Sequence, residues 1–262
     1  MLLAIDVGNT ETKLGCFTDG VDRLVHYWRV TTESRRTADE YGVFFTQLFA
    51  TAGVRVDEID AGVIASVVPR LDRTLQSVCE KFFNVAPRFL EPQHQRLMPV
   101  LTDRPAEVGA DLVAAAIGGA ARYGTPLIIV SYGTATVFIA ISAAGEYLGV
   151  AIAPGINISI DALVGRTAKL PQIALDAPEH AIGRNTVEAL QAGFTFGFVG
   201  QTEAIVARMR AEMGTHARVV ATGGLADVVA RHSAAIDDVD PYLSLVGLQL
   251  FHRAMRDDAA PM

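Results

Sequence analysis

Two stretches of this chain repeat one plan: an apolar strand runs into a short turn of small and hydroxyl-bearing residues, and a second strand follows at once. The first reads Leu2-Leu3-Ala4-Ile5-Asp6-Val7-Gly8-Asn9-Thr10, and the second, 125 positions later, reads Leu127-Ile128-Ile129-Val130-Ser131-Tyr132-Gly133-Thr134-Ala135-Thr136. A repeat of this kind predicts two similar halves. It also suggests what the turns are for. Glycine lets backbone N–H groups approach anionic oxygens, hydroxyls add donors, and a pair of such turns suits the two ends of a triphosphate. The copies differ in charge at one place, where Asp6 corresponds to Ser131.

The segments around each turn follow the same scheme. After the first, Lys13 to Phe17 reads as a strand, Asp19-Gly20 as a turn and Leu24 to Val30 as a third strand, an antiparallel meander. Thr37 and Glu40 form a capping-box signal ahead of Tyr41, Phe44, Phe45, Leu48 and Phe49 at helical spacing. A strand over Gly62 to Val68, a helix over Leu71 to Phe83, a short strand at Arg88 to Leu90 and a loop from Pro92 to Pro105 complete the first half. The second begins with a helix from Gly109 to Arg122 and strands at Leu127, Thr136 and Tyr147, followed by a helical stretch over Gly155 to Lys169. From Asn185 to Met213 the pattern predicts one long helix, or two broken near Gly200, with Gly193, Gly197 and Gly200 at a spacing that allows close helix approach. A strand entering Thr222-Gly223-Gly224, a last helix over Tyr242 to Arg256 and a disordered tail from Asp257 follow. The result is an α/β duplication, with halves at 1–108 and 109–262 and ligands expected in the cleft between them.

Composition removes several classes. Net charge is −7 and no Lys/Arg run offers a phosphate-backbone footprint, so nucleic acid is not an expected partner. The N-terminal apolar run ends at Asp6, and no stretch approaches the roughly 20 apolar residues of a membrane span; a cytoplasmic protein is expected. Cys16 and Cys79 sit in apolar surroundings as reduced core thiols, and the six histidines lack zinc-ligand spacing. P-loop, dinucleotide and hydrolase-elbow motifs are all missing.

Three positions carry candidate chemistry. Asp6 ends an apolar strand, where a carboxylate suits magnesium, with Asn9 and Thr10 on the phosphates; closing a tight turn is the alternative use. Asp111 lies at a helix start, as a cap or as the residue that positions an attacking hydroxyl, and the helix N-terminus should lower its pKa. The Thr222-Gly223-Gly224 turn would let an adenine or ribose approach the backbone, or simply connect strand to helix.

The motifs Asp6-Val-Gly-Asn-Thr10, Thr37-Ala-Asp-Glu-Tyr41, Pro105-Ala-Glu-Val-Gly-Ala-Asp111, Gly133-Thr-Ala-Thr136, Ala153-Pro-Gly-Ile156, Gly183-Arg-Asn-Thr186 and Ala221-Thr-Gly-Gly224 run in order along nearly the whole chain. In that order they resemble the type III pantothenate kinases, within the acetate and sugar kinase, Hsc70 and actin superfamily. The resemblance implies duplicated ribonuclease H-like (actin-like ATPase) halves with a central cleft, the second carrying a long dimerisation helix. It implies ATP-dependent phosphorylation of pantothenate to 4′-phosphopantothenate, the first step of coenzyme A biosynthesis, by a homodimer using magnesium and a monovalent cation, potassium or ammonium. Carried over, Asp6 supports magnesium, while Gly8, Asn9, Thr10, Lys13, Gly133, Thr134 and Gly223 bind ATP and its phosphates. Gly109, Ala110, Asp111 and Thr102 face pantothenate, Asp111 as the catalytic residue, and Thr186 reaches substrate across the dimer. Ser131 stands where the family has its cation-site Asp, Leu112 where it has an Arg, and Thr102 where it has a Tyr. These substitutions leave open a nucleotide-binding homologue acting through protein contacts, or a kinase for another small alcohol.

Overall fold

The computed structural model describes residues 1–18 and 23–257, so the expected Asp19-Gly20 turn and the end of the tail lie outside the described residues. The chain divides into two compact units, 1–118 with 243–262, and 119–242.

In the first unit, β1 (Leu2–Val7), β2 (Glu11–Phe17) and β3 (Leu24–Thr31) form the expected meander, and β4 (Ala61–Ser66) and β5 (Arg88–Phe89) extend it. The sheet order is β3-β2-β1-β4-β5, with β1 antiparallel to β2 and parallel to β4. Every residue of β1 is buried, because helices cover both faces. On one face α1 (Ala38–Thr51) and α2 (Pro69–Phe83) pack on Leu3, Ile5 and Val7, with Phe45, Phe49, Leu71 and Leu75 filling the core. The capping box is formed as expected: Glu40 N–H donates to the Thr37 hydroxyl and Thr37 N–H to the Glu40 carboxylate. Such a cap stabilises a helix by about 1 kcal/mol. On the other face lies α7 (Leu243–Asp257), in contact with β1, β2 and β4. Strand side chains alternate between faces, so Asp6 points away from the Leu3–Ile5–Val7 core and towards α7. The helix α3 (Ala110–Tyr123) meets α7 at backbone distance: a Cβ on Gly118 would sit 2.1 Å from the Leu243 carbonyl, and one on Gly247 1.8 Å from that of Ala114.

This packing explains why the compact units differ from a division at residue 108. The first half of α3 and the last helix are packed into the first unit, although α7 is distant in sequence.

The second unit repeats the sheet. It holds β6 (Leu127–Tyr132), β7 (Ala135–Ile141), β8 (Tyr147–Pro154), β9 (Arg218–Thr222) and β10 (Asp238–Val239), in the order β10-β9-β6-β7-β8. Read from β8, this is the first unit's order, with the same antiparallel and parallel partners. Ile128, Val130 and Tyr132 pack with α4 (Ile156–Gly165), α5 (Thr186–Met213) and α6 (Ala226–Ala230). Of the two readings of the long segment, one continuous 28-residue helix is found. Asn185 caps it, its side chain accepting from Glu188 N–H at 3.0 Å. Cys16 and Cys79 are buried and unpaired, and burial pushes each thiol up to about 12. No helix among the described residues is long and apolar enough to cross a membrane.

Candidate active site

The register of β1 on β2 puts Lys13 directly opposite Asp6. Asp6 is 4% exposed, and its Oδ2 accepts from the Lys13 ammonium at 3.2 Å and from the Ser244 hydroxyl at 2.5 Å. Both bonds fall on the same oxygen. Burial pulls the Lys13 pKa down, but the charge and hydrogen bond of Asp6 outweigh it, so the ammonium is held above its usual value. After β1 the chain turns tightly, with Gly8 N–H donating to the Glu11 carbonyl at 3.0 Å and the Thr32 hydroxyl donating to the Gly8 carbonyl at 2.7 Å. A Cβ on Gly8 would lie 2.9 Å from that Glu11 oxygen. The turn thereby leaves Asn9 and Thr10 exposed at its tip.

Asp111 is the second residue of α3, and its Oδ1 accepts from Leu112 N–H at 2.9 Å. Its pKa is raised from 3.8 to about 6, against the expected lowering at a helix start. Burial is the main cause and the nearby Asp6 charge the second, and together they exceed the opposing pull of the Leu112 N–H and Lys13. Asp6, Lys13 and Asp111 are thus one interacting cluster. Ser244 joins it from α7, and nothing local in the sequence marks it: it sits in an apolar helix and meets Asp6 only through tertiary packing.

Gly109 lies against the Asp111 carboxylate, since a Cβ there would come within 2.5 Å of Oδ1. Gly109 and Ala110 also line a cavity of about 600 Å³, together with Ser66, Asp72, Arg73 and Glu107. Asp72 Oδ1 and the Thr102 hydroxyl are buried with no hydrogen-bond partner among the described residues. Arg104, in the same loop as Thr102, is paired with Glu107 at 2.8 Å.

In the second unit, the turn after β6 has the same form: Gly133 N–H donates to the Ala135 carbonyl at 3.0 Å, and Thr134 is exposed. The Thr134 carbonyl accepts from Gly155 N–H at 3.2 Å. Gly223 has φ +97, and a Cβ on it would meet the Tyr132 carbonyl at 2.4 Å, so only glycine fits at this strand end. Thr222 Oγ1 is buried without a partner among the described residues. Ser131 is flanked in register by Val137 and Thr222, with no countercharge on either. Thr186 opens α5 and is exposed.

The model of the type III pantothenate kinase family matches residues 2–208. The chain belongs to that family. A type III pantothenate kinase from Myxococcus xanthus is 48% identical over 252 residues, covering 96% of this chain and 98% of its own. Two solved structures extend the likeness at the level of fold. A conserved protein of the Baf family of transcriptional activators from Campylobacter jejuni has a TM-score of 0.62 at 19% identity, with 97% and 99% coverage of the two chains. The activator of 2-hydroxyisocaproyl-CoA dehydratase from Clostridium difficile, solved with bound ADPNP, scores 0.55 at 12% identity over 100% and 98%. The two like sheets and these neighbours bear out the expected duplicated ribonuclease H-like fold. Membership of the pantothenate kinase family also weighs against the reading of a silent nucleotide-binding homologue.

Proposed function

We propose that in this pantothenate kinase Asp111 is the residue that takes the proton from the 4′-hydroxyl of pantothenate as that oxygen attacks the γ-phosphorus of ATP. The new O–P bond forms as the bond from the γ-phosphorus to the β,γ-bridging oxygen breaks, releasing ADP. The observation that carries this reading is the place of Asp111: it lies in the first turn of α3 with its carboxylate against Gly109, which lines the cavity, and burial together with the Asp6 charge makes it more basic than an exposed carboxylate. The transition state of phosphoryl transfer is loose, so holding the hydroxyl in line is the larger part of the task. Gly109 and Ala110, which line the cavity beside Asp111, would border the substrate.

Asn9, Thr10, Gly133 and Thr134 are assigned to the phosphates on the strength of their exposed turn positions and the family motifs. Gly8 shapes the first turn, and Gly223 gives backbone access for the nucleoside. Magnesium fits Asp6: Oδ2 takes both hydrogen bonds and Oδ1 neither. Among the described residues no group of three or more His, Cys, Asp or Glu would hold a metal unaided, consistent with an ion shared between a carboxylate and phosphate oxygens. When bound, it would neutralise charge developing on the phosphates. Lys13, opposite Asp6 in the register, would then turn towards the phosphates. Ser131 offers a hydroxyl to a monovalent cation, with no charge.

A homodimer is supported by the second unit. Gly193, Gly197 and Gly200 are exposed on α5 with open space where a Cβ would be, and the edge strand β8 exposes Leu148, Val150 and Ile152, the last by 67%. Thr186, at the start of the same helix, would reach the partner's substrate. The setting we assign is cytoplasmic. The test is phosphopantothenate formation by purified protein with ATP, magnesium and potassium; turnover no higher than that of Asp111→Ala sinks the reading. ATP binding without turnover would favour the silent homologue, and a screen that prefers another alcohol would favour the relaxed kinase.

A further inference from the structure

Asp6 has two hydrogen-bond donors of unlike character. Lys13 is charged, sits on the neighbouring strand and has a flexible four-carbon stem, whereas Ser244 is neutral, 5% exposed and fixed on a helix. The two cannot serve the same purpose. A buried carboxylate needs donors, but each positive partner spends the charge that would attract a cation. A hydroxyl satisfies one lone pair and leaves the net charge in place. If Lys13 turns to the phosphates, Ser244 is the donor that remains.

The placement of α7 fits such a role. Leu245, next to Ser244, packs so closely on β2 that a Cβ on Gly15 would lie 2.9 Å from its Cδ1. On its other side α7 touches the backbone of α3 through Gly118 and Gly247. One helix therefore sets the Ser244 hydroxyl against Asp6 and braces α3, whose first turn carries Asp111. We propose that Ser244 is a positioning residue for the metal carboxylate: it pins Oδ2 of Asp6 so that Oδ1 keeps its orientation and its charge for magnesium when Lys13 is drawn away. The proposal rests on the reading of Asp6 as the magnesium carboxylate.

The experiment compares wild type, Ser244→Ala, Ser244→Thr and Asp6→Asn. ATP binding is measured calorimetrically with and without magnesium, and the magnesium concentration for half-maximal rate is measured apart from kcat at saturating metal. Outer-sphere partners of metal ligands are worth on the order of ten-fold or more in metal affinity. Ser244→Ala is expected to raise the magnesium midpoint on the order of ten-fold and to lose the magnesium-dependent part of ATP affinity, while metal-free ATP binds as in wild type. Ser244→Thr, which keeps the hydroxyl, is expected to restore both. Should the alanine variant fail to fold, Ser244→Cys, near in size but a weak donor, takes its place. An unchanged midpoint in the alanine or cysteine variant, with Asp6→Asn impaired, overturns the role of Ser244 alone. Equal loss of metal-free and magnesium-bound ATP affinity marks a purely structural residue and also overturns it. An unchanged midpoint in Asp6→Asn removes the premise and overturns both readings.

Discussion

The strand ends at β1 and β6 share a backbone plan and differ in electrostatics. Each strand lies between an antiparallel partner that follows it and a parallel partner from later in the chain, and each runs into a turn closed by a glycine N–H. Asp6 and Ser131 are both fifth in their strands. Across from Asp6 stands Lys13, and across from Ser131 stands Val137. The parallel neighbours are Ala65 and Thr222. Asp6 has a second donor in Ser244, while Thr222 Oγ1 next to Ser131 has no partner among the described residues. Duplication has thus preserved the strand-end turn, closed in each copy by a glycine N–H on a backbone carbonyl, and confined the charge to one copy. A repeated frame is evidence of a binding scaffold; only the side chains at its strand ends say which copy manages charge.

The sharpest way to break the comparison is to neutralise each copy. Asp6→Asn is expected to lower kcat/KM by roughly 10²–10³-fold, the usual cost of removing one electrostatic element from a catalytic site. Ser131→Ala should cost less than about ten-fold, since no charge is lost. Steady-state assays at saturating magnesium check both. Equal losses would mean that the two turns are equivalent after all.

The next effect concerns Asp111, whose raised pKa depends partly on the charge of Asp6. A base with pKa about 6 must be ionised, so kcat/KM is expected to fall about ten-fold per pH unit below 6 and to level off above 7. The stability effect has the opposite sense. Because the folded-state value lies above 3.8, ionising Asp111 costs stability; the penalty is absent below pH 3.8 and complete above about 6. Asp111→Asn should therefore abolish turnover yet melt higher than wild type at pH 8, by at most about 3 kcal/mol of stability, with the difference shrinking towards pH 4. Metal-free thermal melts at the two pH values would show it, and a difference that grows on acidification would refute it.

The dimer reading is tested in the second unit. Ile152→Glu places a charge on the exposed apolar edge strand and is expected to shift the protein from dimer to monomer in sedimentation equilibrium. A monomeric wild type, or an unaffected variant, would move the interface elsewhere.

What was legible in the sequence is what local pattern encodes. The meander, the capping box at Thr37 and the turn glycines follow from alternation, from side chains three residues apart and from the freedom of a missing Cβ. The short elements α6 and β10 carry too few residues to show a period. Asp6 and Asp111 were readable as isolated carboxylates in unusual places, but their mutual influence was not. Helix-end reasoning gave Asp111 a lowered pKa because it weighed the local dipole alone, whereas burial and a neighbouring charge, both products of tertiary packing, decide the sign. Ser244 was invisible for the same reason. The hydroxyl that bonds Asp6 lies 238 residues away along the chain, and only the packing of α7 against β1 brings them together.

The smallest effect bears most directly on why the copies diverged. Ser131→Asp recreates at β6 the carboxylate of β1 without the lysine opposite it, because Val137 occupies that register position. The new charge would have Val137 and Thr222 as its register neighbours, neither of them a cation, and the Thr222 hydroxyl has no partner among the described residues. Such a carboxylate is costly to enclose and is relieved by a bound monovalent ion. The variant should melt lower than wild type in tetramethylammonium chloride and recover in potassium chloride of equal ionic strength, while wild type, with a neutral Ser131, responds little. Rates should follow within a few-fold, as expected of a partly solvated charge. If potassium and tetramethylammonium act alike on the variant, the site at β6 does not select a cation, and the divergence of the two turns lies in Asp6 and its donors alone.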